Sequence, residues 1–289
     1  MAAKFKDCDF MLIGGHVSTA GGPENAPERA WAIGGNCMQI FGSSPRQWKV
    51  RFPQKPEIAK YKERLRQHGI EKVYLHAPYL INLASPNKAL QRQSFRALRD
   101  HFKITNLFGA EGLIFHMGSH KGQNAEHAVK QTADYMKKLI KEAPGKSWLV
   151  METSSGGGNK LGDTPEELGQ IAKLVKSDRV KVCFDTAHAF TAGVIDYSPA
   201  SIKEFIKKWK KEIGLDKLAV VHANDSKAEF GSAKDRHENI GEGRIGLKSF
   251  KELAKHKEFS SLPWILEVPG FDGSGPDKKN VNILKKMLR

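Results

Sequence analysis

The 289-residue chain has few cysteines, no long apolar run and a shortage of acidic residues, and each deficit removes a class of protein. Its three cysteines, Cys8, Cys37 and Cys183, are an odd number at wide spacing with no Cys-x-x-Cys pair, so neither a zinc ribbon nor a redox motif is present. All three read as reduced packing residues. No stretch is apolar for long enough to span a membrane, and Met1–Lys6 is followed by neither an h-region nor a small-residue cleavage site. A cytoplasmic location is the expectation. There is no Gly-x-Ser-x-Gly elbow on which a serine hydrolase could be built. Gly156-Gly157-Gly158-Asn159-Lys160 lacks the Gly-Lys-Ser/Thr ending of a phosphate loop and reads as a flexible active-site loop.

What is present is basic charge. Against 32 acidic residues stand 47 lysines and arginines, a formal net charge of +15, in a chain whose 39% hydrophobic content suits a soluble globular protein. Carboxylates held by metal ions would leave the outward field still more positive, which favours a polyanionic partner, nucleic acid first. The lysine-rich segment Ile202–Lys211 has Ile202, Phe205, Ile206 and Trp209 at helical spacing, so its lysines form a solvated outer face.

Short β-branched apolar runs recur along the chain at Phe10–Gly14, Cys37–Phe41, Lys72–His76, Gly112–His116, Trp148–Thr153, Val180–Asp185, Leu218–His222 and Trp264–Val268. Amphipathic stretches such as Ser94–Leu107, Ala125–Lys141, Pro165–Val175 and Ser201–Ile213 separate them. Several of these open on a helix-start signal, as in Asp163-Thr164-Pro165-Glu166-Glu167. Eight strand–helix units predict an α/β fold, a (β/α)8 TIM barrel, as one domain over residues 1–289.

In such a barrel the chemistry gathers where strands end. His76, His116, Asp185 and His222 each close a run, and Glu152 and Glu267 lie next to the ends of theirs. His188, three residues past Asp185, can turn back over the same strand end, while Asp235 and His237 alternate and so face one side of an extended segment. Imidazoles and carboxylates in this mixture suit zinc, with manganese or iron also tolerated. Nine such groups exceed the needs of one tetrahedral ion.

These residues sit within longer motifs: Gly15-His16-Val17-Ser18-Thr19-Ala20-Gly21-Gly22, His76-Ala77-Pro78-Tyr79-Leu80-Ile81-Asn82-Leu83, Phe115-His116-Met117-Gly118-Ser119-His120, Asp185-Thr186-Ala187-His188-Ala189-Phe190, and His222 through Asn224-Asp225 to Asp235-Arg236-His237 and Gly241-Glu242-Gly243. In order and spacing, across nearly the whole chain, they resemble the endonuclease IV family of zinc-dependent abasic-site endonucleases. The resemblance implies three Zn2+ ions, the third site possible for Mn2+. His76, His116 and Glu152 would hold the first. Glu152, as a bridge, would hold the second with Asp185, His222 and Glu267, and His188, Asp235 and His237 would hold the third.

The same resemblance implies that Arg46 and Tyr79 enter double-stranded DNA at an abasic site. Incision would fall 5′ to the abasic deoxyribose. The chain departs from the family at Ser44-Pro45, where many members have Asn-Gln, and at Thr153-Ser154-Ser155, after the bridging glutamate. Both departures bear on lesion grip and substrate range and leave the ligand set untouched. A monomer suits one barrel straddling DNA. The alternative is a divalent-metal sugar isomerase or epimerase on a similar barrel, which needs neither His188, Asp235 and His237 nor a net charge of +15. A DNA-binding barrel with a structural metal would leave most of the ligand set unexplained.

Overall fold

A computed structural model describes residues 11–288 of the chain. In chain order its strands are β1 (Ile13–His16), β2 (Cys37–Phe41), β3 (Lys72–His76), β4 (Gly112–Phe115), β5 (Trp148–Glu152), β6 (Val180–Asp185), β7 (Leu218–His222), the two-residue strands β8 (Asp225–Ser226) and β9 (His237–Glu238), and β10 (Trp264–Leu266). β1 to β7 and β10 form a closed parallel barrel, sealed where Ile13–Gly15 pair with Trp264–Leu266. β8 and β9 form an antiparallel pair in the loop between β7 and β10.

The helices are α1 (Ala26–Ala32), α2 (Lys55–Gln67), α3 (Lys88–Phe108), α4 (Ala125–Glu142), α5 (Pro165–Val175), α6 (Thr186–Thr191), α7 (Pro199–Glu212), α8 (Gly246–Ala254), α9 (Lys257–Ser260) and α10 (Lys278–Met287). Their starts follow from side chains that satisfy the otherwise orphaned first-turn amides. Asn87, Asn124, Thr164, Ser198 and Asp277 each accept such a hydrogen bond, and proline follows Thr164 and Ser198 at the first helical position. On α7 the apolar residues Ile202, Phe205 and Trp209 are buried and the lysines exposed. Phe184 packs at a tilt against Phe205 and Phe259 in the layer between strands and helices, with Phe184 and Phe205 centroids 5.1 Å apart.

Side chains alternate along each strand, so every second residue points into the barrel. Cys37, Tyr74, Ile114, Val150, Cys183, Val220 and Ile265 make one apolar inner layer, separate from the larger core beneath the helices. Tyr74 spans this layer and donates its hydroxyl proton to the Ala219 carbonyl at 3.1 Å. Two residues further along each strand, the inner row turns polar.

The first strand differs from its expected position at Phe10–Gly14. It runs from Ile13 to His16, and Phe10 lies outside the described residues. Gly14, the expected end of the run, and Gly15 beyond it both pair with β2 and β10. A Cβ on Gly14 would stand 1.7 Å from the Cys37 carbonyl oxygen, so glycine here permits a close backbone approach and does not end a strand. The other seven strands start where expected, three of them ending one or two residues early.

Candidate metal centre

One side chain from each barrel strand, or from the residue or two after it, fills the mouth: His16, Gln39, His76, His116, Glu152, Asp185, His222 and Glu267. Glu152 is fully buried among four imidazoles. Its Oε2 is 3.0 Å from His76 Nε2 and 3.3 Å from His116 Nε2, while its Oε1 is 2.9 Å from His222 Nδ1 and 3.5 Å from His188 Nδ1. Burial alone would raise its pKa, but the charges of His116 and His222 and hydrogen bonds from His222 and His76 outweigh this and hold the carboxyl well below the usual range.

The local sequence explains how His188 reaches this point. Asp185 ends β6 and caps α6, its Oδ1 accepting from the His188 amide at 2.8 Å, so the first helical turn folds His188 back over the strand end. Asn224 steadies two neighbours: it donates to Asp185 Oδ2 at 2.7 Å and accepts from the Glu267 amide at 2.8 Å. The β8–β9 pair sets His237 opposite Ser226 and brings Asp235 to the rim. There Asp235 Oδ2 lies 3.1 Å from His188 Nε2, and its Oδ1 lies 3.4 Å from His237 Nε2.

Ligand-type atoms gather into overlapping groups. His76, His116 and Glu152 form one, Glu152, Asp185, His222 and Glu267 a second, and Asp185, His188 and His237 a third, each with its atoms within 4.8 Å of one another. Asp235 approaches the third group, with a different oxygen toward each histidine.

The donor set fits metal ions. Four carboxylates crowd this pocket, Glu152 and Asp185 with no solvent exposure, and uncompensated negative charge at that depth is very costly. The pocket's response is visible at His188. Burial opposes its charge, yet Asp185, Asp235 and Glu152 push its pKa up to about 10. Three of the rings, His76, His188 and His237, have one nitrogen against a backbone carbonyl and the other toward the carboxylates. The Nδ1 atoms of His76, His188 and His237 lie 2.7, 2.9 and 3.3 Å from the carbonyls of Ala77, Thr153 and Glu267. With an ion bound, a proton on each Nδ1 would leave a lone pair on Nε2, the arrangement usual for a metal-ligating histidine. Nε2 of His237 is buried without a hydrogen-bond partner, and Nε2 of His188 has Asp235 Oδ2 beside it at 3.1 Å.

The family model described as a xylose isomerase-like TIM barrel matches residues 27–289. A probable endonuclease 4 of Halothermothrix orenii is 36% identical over 277 residues, covering 96% of this chain and 100% of that protein. Another, of Thermosipho africanus, is 37% identical over 282 residues and covers 96% and 99% of the two chains. The chain belongs to the endonuclease IV family. It is a nuclease, and it uses a metal cofactor. The crystal structure of endonuclease IV from Thermus thermophilus, 30% identical, superimposes with a TM-score of 0.84 over 96% of this chain and 98% of that one. A D-tagatose 3-epimerase-like protein, 21% identical with a TM-score of 0.70, shares the fold alone.

For an endonuclease IV family member, the approach to the centre is a cavity of about 490 Å³ lined by His16, Phe41, Tyr79, Asp235, Arg236 and His237 among others. Tyr79 stands at its rim, 69% exposed, its ring 5.6 Å from that of Phe41. Arg46 is exposed in the turn after β2 and is not among the cavity's lining residues. Sequence reasoning passed over His16 and Gln39. His16 stood within a motif without a role, and Gln39 lay inside the apolar run Cys37–Phe41, where a lone amide at the inward-facing position was the available signal. No helix among the described residues is long and apolar enough to cross a membrane.

Proposed function

We propose that this chain is a zinc-dependent endonuclease that hydrolyses the phosphodiester 5′ to abasic sites in double-stranded DNA, giving a 3′ hydroxyl and a 5′ deoxyribose phosphate in base excision repair. The observation that carries the reading is the Glu152 carboxylate, whose two oxygens serve two different ligand groups. His76, His116 and Glu152 would hold one zinc ion, and Glu152, Asp185, His222 and Glu267 a second. His188, Asp235 and His237 would hold a third ion, zinc or manganese. Bound there, the ions would lower the pKa of a water toward neutrality and offset charge that accumulates on the phosphodiester and its leaving oxygen.

The chain's own residues supply geometry and selectivity. Buried backbone carbonyls fix the tautomers of His76 and His188, so the inward nitrogens are oriented before substrate arrives. Tyr79 and Arg46 would enter the duplex at the lesion and hold the abasic nucleotide out of the stack. A nucleotide without its base has lost pairing and most stacking, so turning it out costs up to a few kcal/mol less than flipping an intact one. The excess of lysine and arginine gives affinity for phosphates without sequence preference. The chain is read as one barrel domain acting as a cytoplasmic monomer.

Metal analysis paired with a nicking assay tests the proposal. About three ions per chain and a single nick at a lone abasic site, absent from the intact duplex, are the expected results. One ion per chain, or no incision by fully loaded protein, overturns it.

A further inference from the structure

Six barrel strands contribute six of the nine proposed ligands, at or just past their ends, and the remaining two, β1 and β2, contribute His16 and Gln39 to the same polar row. His16 and Gln39 are register partners in the β1–β2 pair. Gln39 has no solvent exposure, and burying a primary amide is costly unless its donors and acceptor are used. Here they are used on the centre itself. Gln39 Oε1 lies 2.8 Å from His222 Nε2, and Gln39 Nε2 lies 2.5 Å from Glu267 Oε1 and 2.9 Å from His16 Nδ1.

With an ion bound at Glu152, His222 and Glu267, the Gln39 contacts assign the protons of His222. A glutamine oxygen only accepts, so His222 donates from Nε2 and, with an ion bound, would turn a lone pair on Nδ1 toward it. That atom faces Glu152 Oε1 at 2.9 Å and Glu267 Oε2 at 3.4 Å. The amide nitrogen donates to Glu267 Oε1, and His16 Nδ1 lies beside both, 2.9 Å from the amide nitrogen and 3.1 Å from that oxygen. Whereas His76 and His188 lean on backbone carbonyls, His222 leans on a side chain, and that side chain also grips Glu267.

We propose that Gln39 is a positioning residue of the metal centre, holding His222 as the Nε2–H tautomer and Glu267 in one orientation so that both face the same ion. This rests on His222 and Glu267 being ligands of that ion, as proposed above. It assigns a role to a strand that carries no ligand.

Gln39→Met keeps the volume and removes every hydrogen bond. In chelator competition one of the bound zinc ions should be held about ten- to a hundredfold more weakly than in the wild type, the others unchanged, with the metal-free melting temperature little altered. Nitrogen-15 histidine spectra of the zinc-loaded wild type, assigned with His222→Ala, should show the His222 proton on Nε2. This measurement needs no folded Gln39 variant. A proton on Nδ1, or wild-type zinc affinity in Gln39→Met, overturns the role of Gln39. If His222→Ala itself loses no zinc, the ligand assignment fails and the inference falls with it. Zinc loss in His222→Ala beside full affinity in Gln39→Met refutes Gln39 alone.

Discussion

Asp185 caps the helix that carries His188, its Oδ1 accepting from the His188 backbone amide at 2.8 Å. One carboxylate thereby shapes the chain at the strand end and faces the ligand groups. The two duties separate in mutants, because asparagine caps a helix about as well as aspartate whereas alanine does not. Asp185→Asn should keep the stability of the metal-free protein, and Asp185→Ala should lose about 1 kcal/mol in denaturant unfolding. Both should lose bound zinc and incision. Full zinc content in Asp185→Asn would remove this residue from the ligand set.

Glu152→Gln is expected to be the most damaging single change at the centre. It preserves shape but removes a charge shared by His76, His116, His222 and His188. Two of the proposed ions lose a ligand and the bridge between them. Incision should fall about a thousandfold or more, corresponding to about 4 kcal/mol, with zinc content reduced in parallel. Near-normal cleavage by this variant contradicts the roles assigned here.

The sequence made the ligands legible because a barrel converts position along a strand into position in space. β2, β3, β6 and β7 run as expected from the apolar pattern, and His76, Asp185 and His222 end the last three of them. His116 and Glu267 lie just beyond their strands, which leaves their place at the mouth unchanged. Gln39 was not legible, because its meaning depends on contacts with His222 and Glu267 at sequence separations of 183 and 228. Period-two alternation shows that Gln39 points inward but not what it meets. The β8–β9 pair was missed for a related reason: two-residue strands have no periodicity, and this pair depends on Asp225. Its carboxylate accepts from the amides of Ser226, Gly241, Gly243, Ile245 and Gly246 and folds that loop back on itself.

His101 makes stability depend on pH. It is fully buried on α3, both ring nitrogens lack partners, and burial pushes its pKa down from 6.5 to about 4. Between those values the unfolded chain binds a proton that the folded chain refuses. Stability from this residue is therefore complete above pH 6.5 and is lost as pH falls toward 4. By pH 5 the loss should be about 2 kcal/mol. Denaturant unfolding at pH 7 and pH 5 should show that increment in the wild type and lack it in His101→Phe, the difference between the two proteins isolating this group from other titrations. An equal pH response in both would show that His101 is not the source.

Recognition should separate from metal binding at the rim. Tyr79 is exposed, and its ring packs on Phe41 and near His76. Tyr79→Ala should leave zinc content unchanged and weaken binding to a duplex with one abasic site by about tenfold or more, since the extruded nucleotide costs a few kcal/mol to hold out of the stack. Arg46→Ala should act in the same direction. Equal wild-type affinity for abasic and intact duplexes would contradict recognition by extrusion. A shallow dependence of affinity on salt would contradict binding through phosphates.

The third proposed ion should serve chemistry more than folding, and His237 is the place to test this. His237 lies in β9, outside the barrel, where its Nε2 is buried without a hydrogen-bond partner and its Nδ1 reaches the Glu267 carbonyl at 3.3 Å. The apolar inner layer and the core under the helices do not include it. His237→Ala should therefore leave the melting temperature nearly unchanged. DNA affinity should fall little, because many phosphate contacts share it. Single-turnover cleavage should fall by about a hundredfold or more, since a positive charge beside a leaving oxygen in a site shielded from water is worth several kcal/mol. Melting, binding and single-turnover cleavage measured on one preparation decide the matter. A collapsed melting temperature with lost binding would make the ion structural, and undiminished cleavage would make it dispensable.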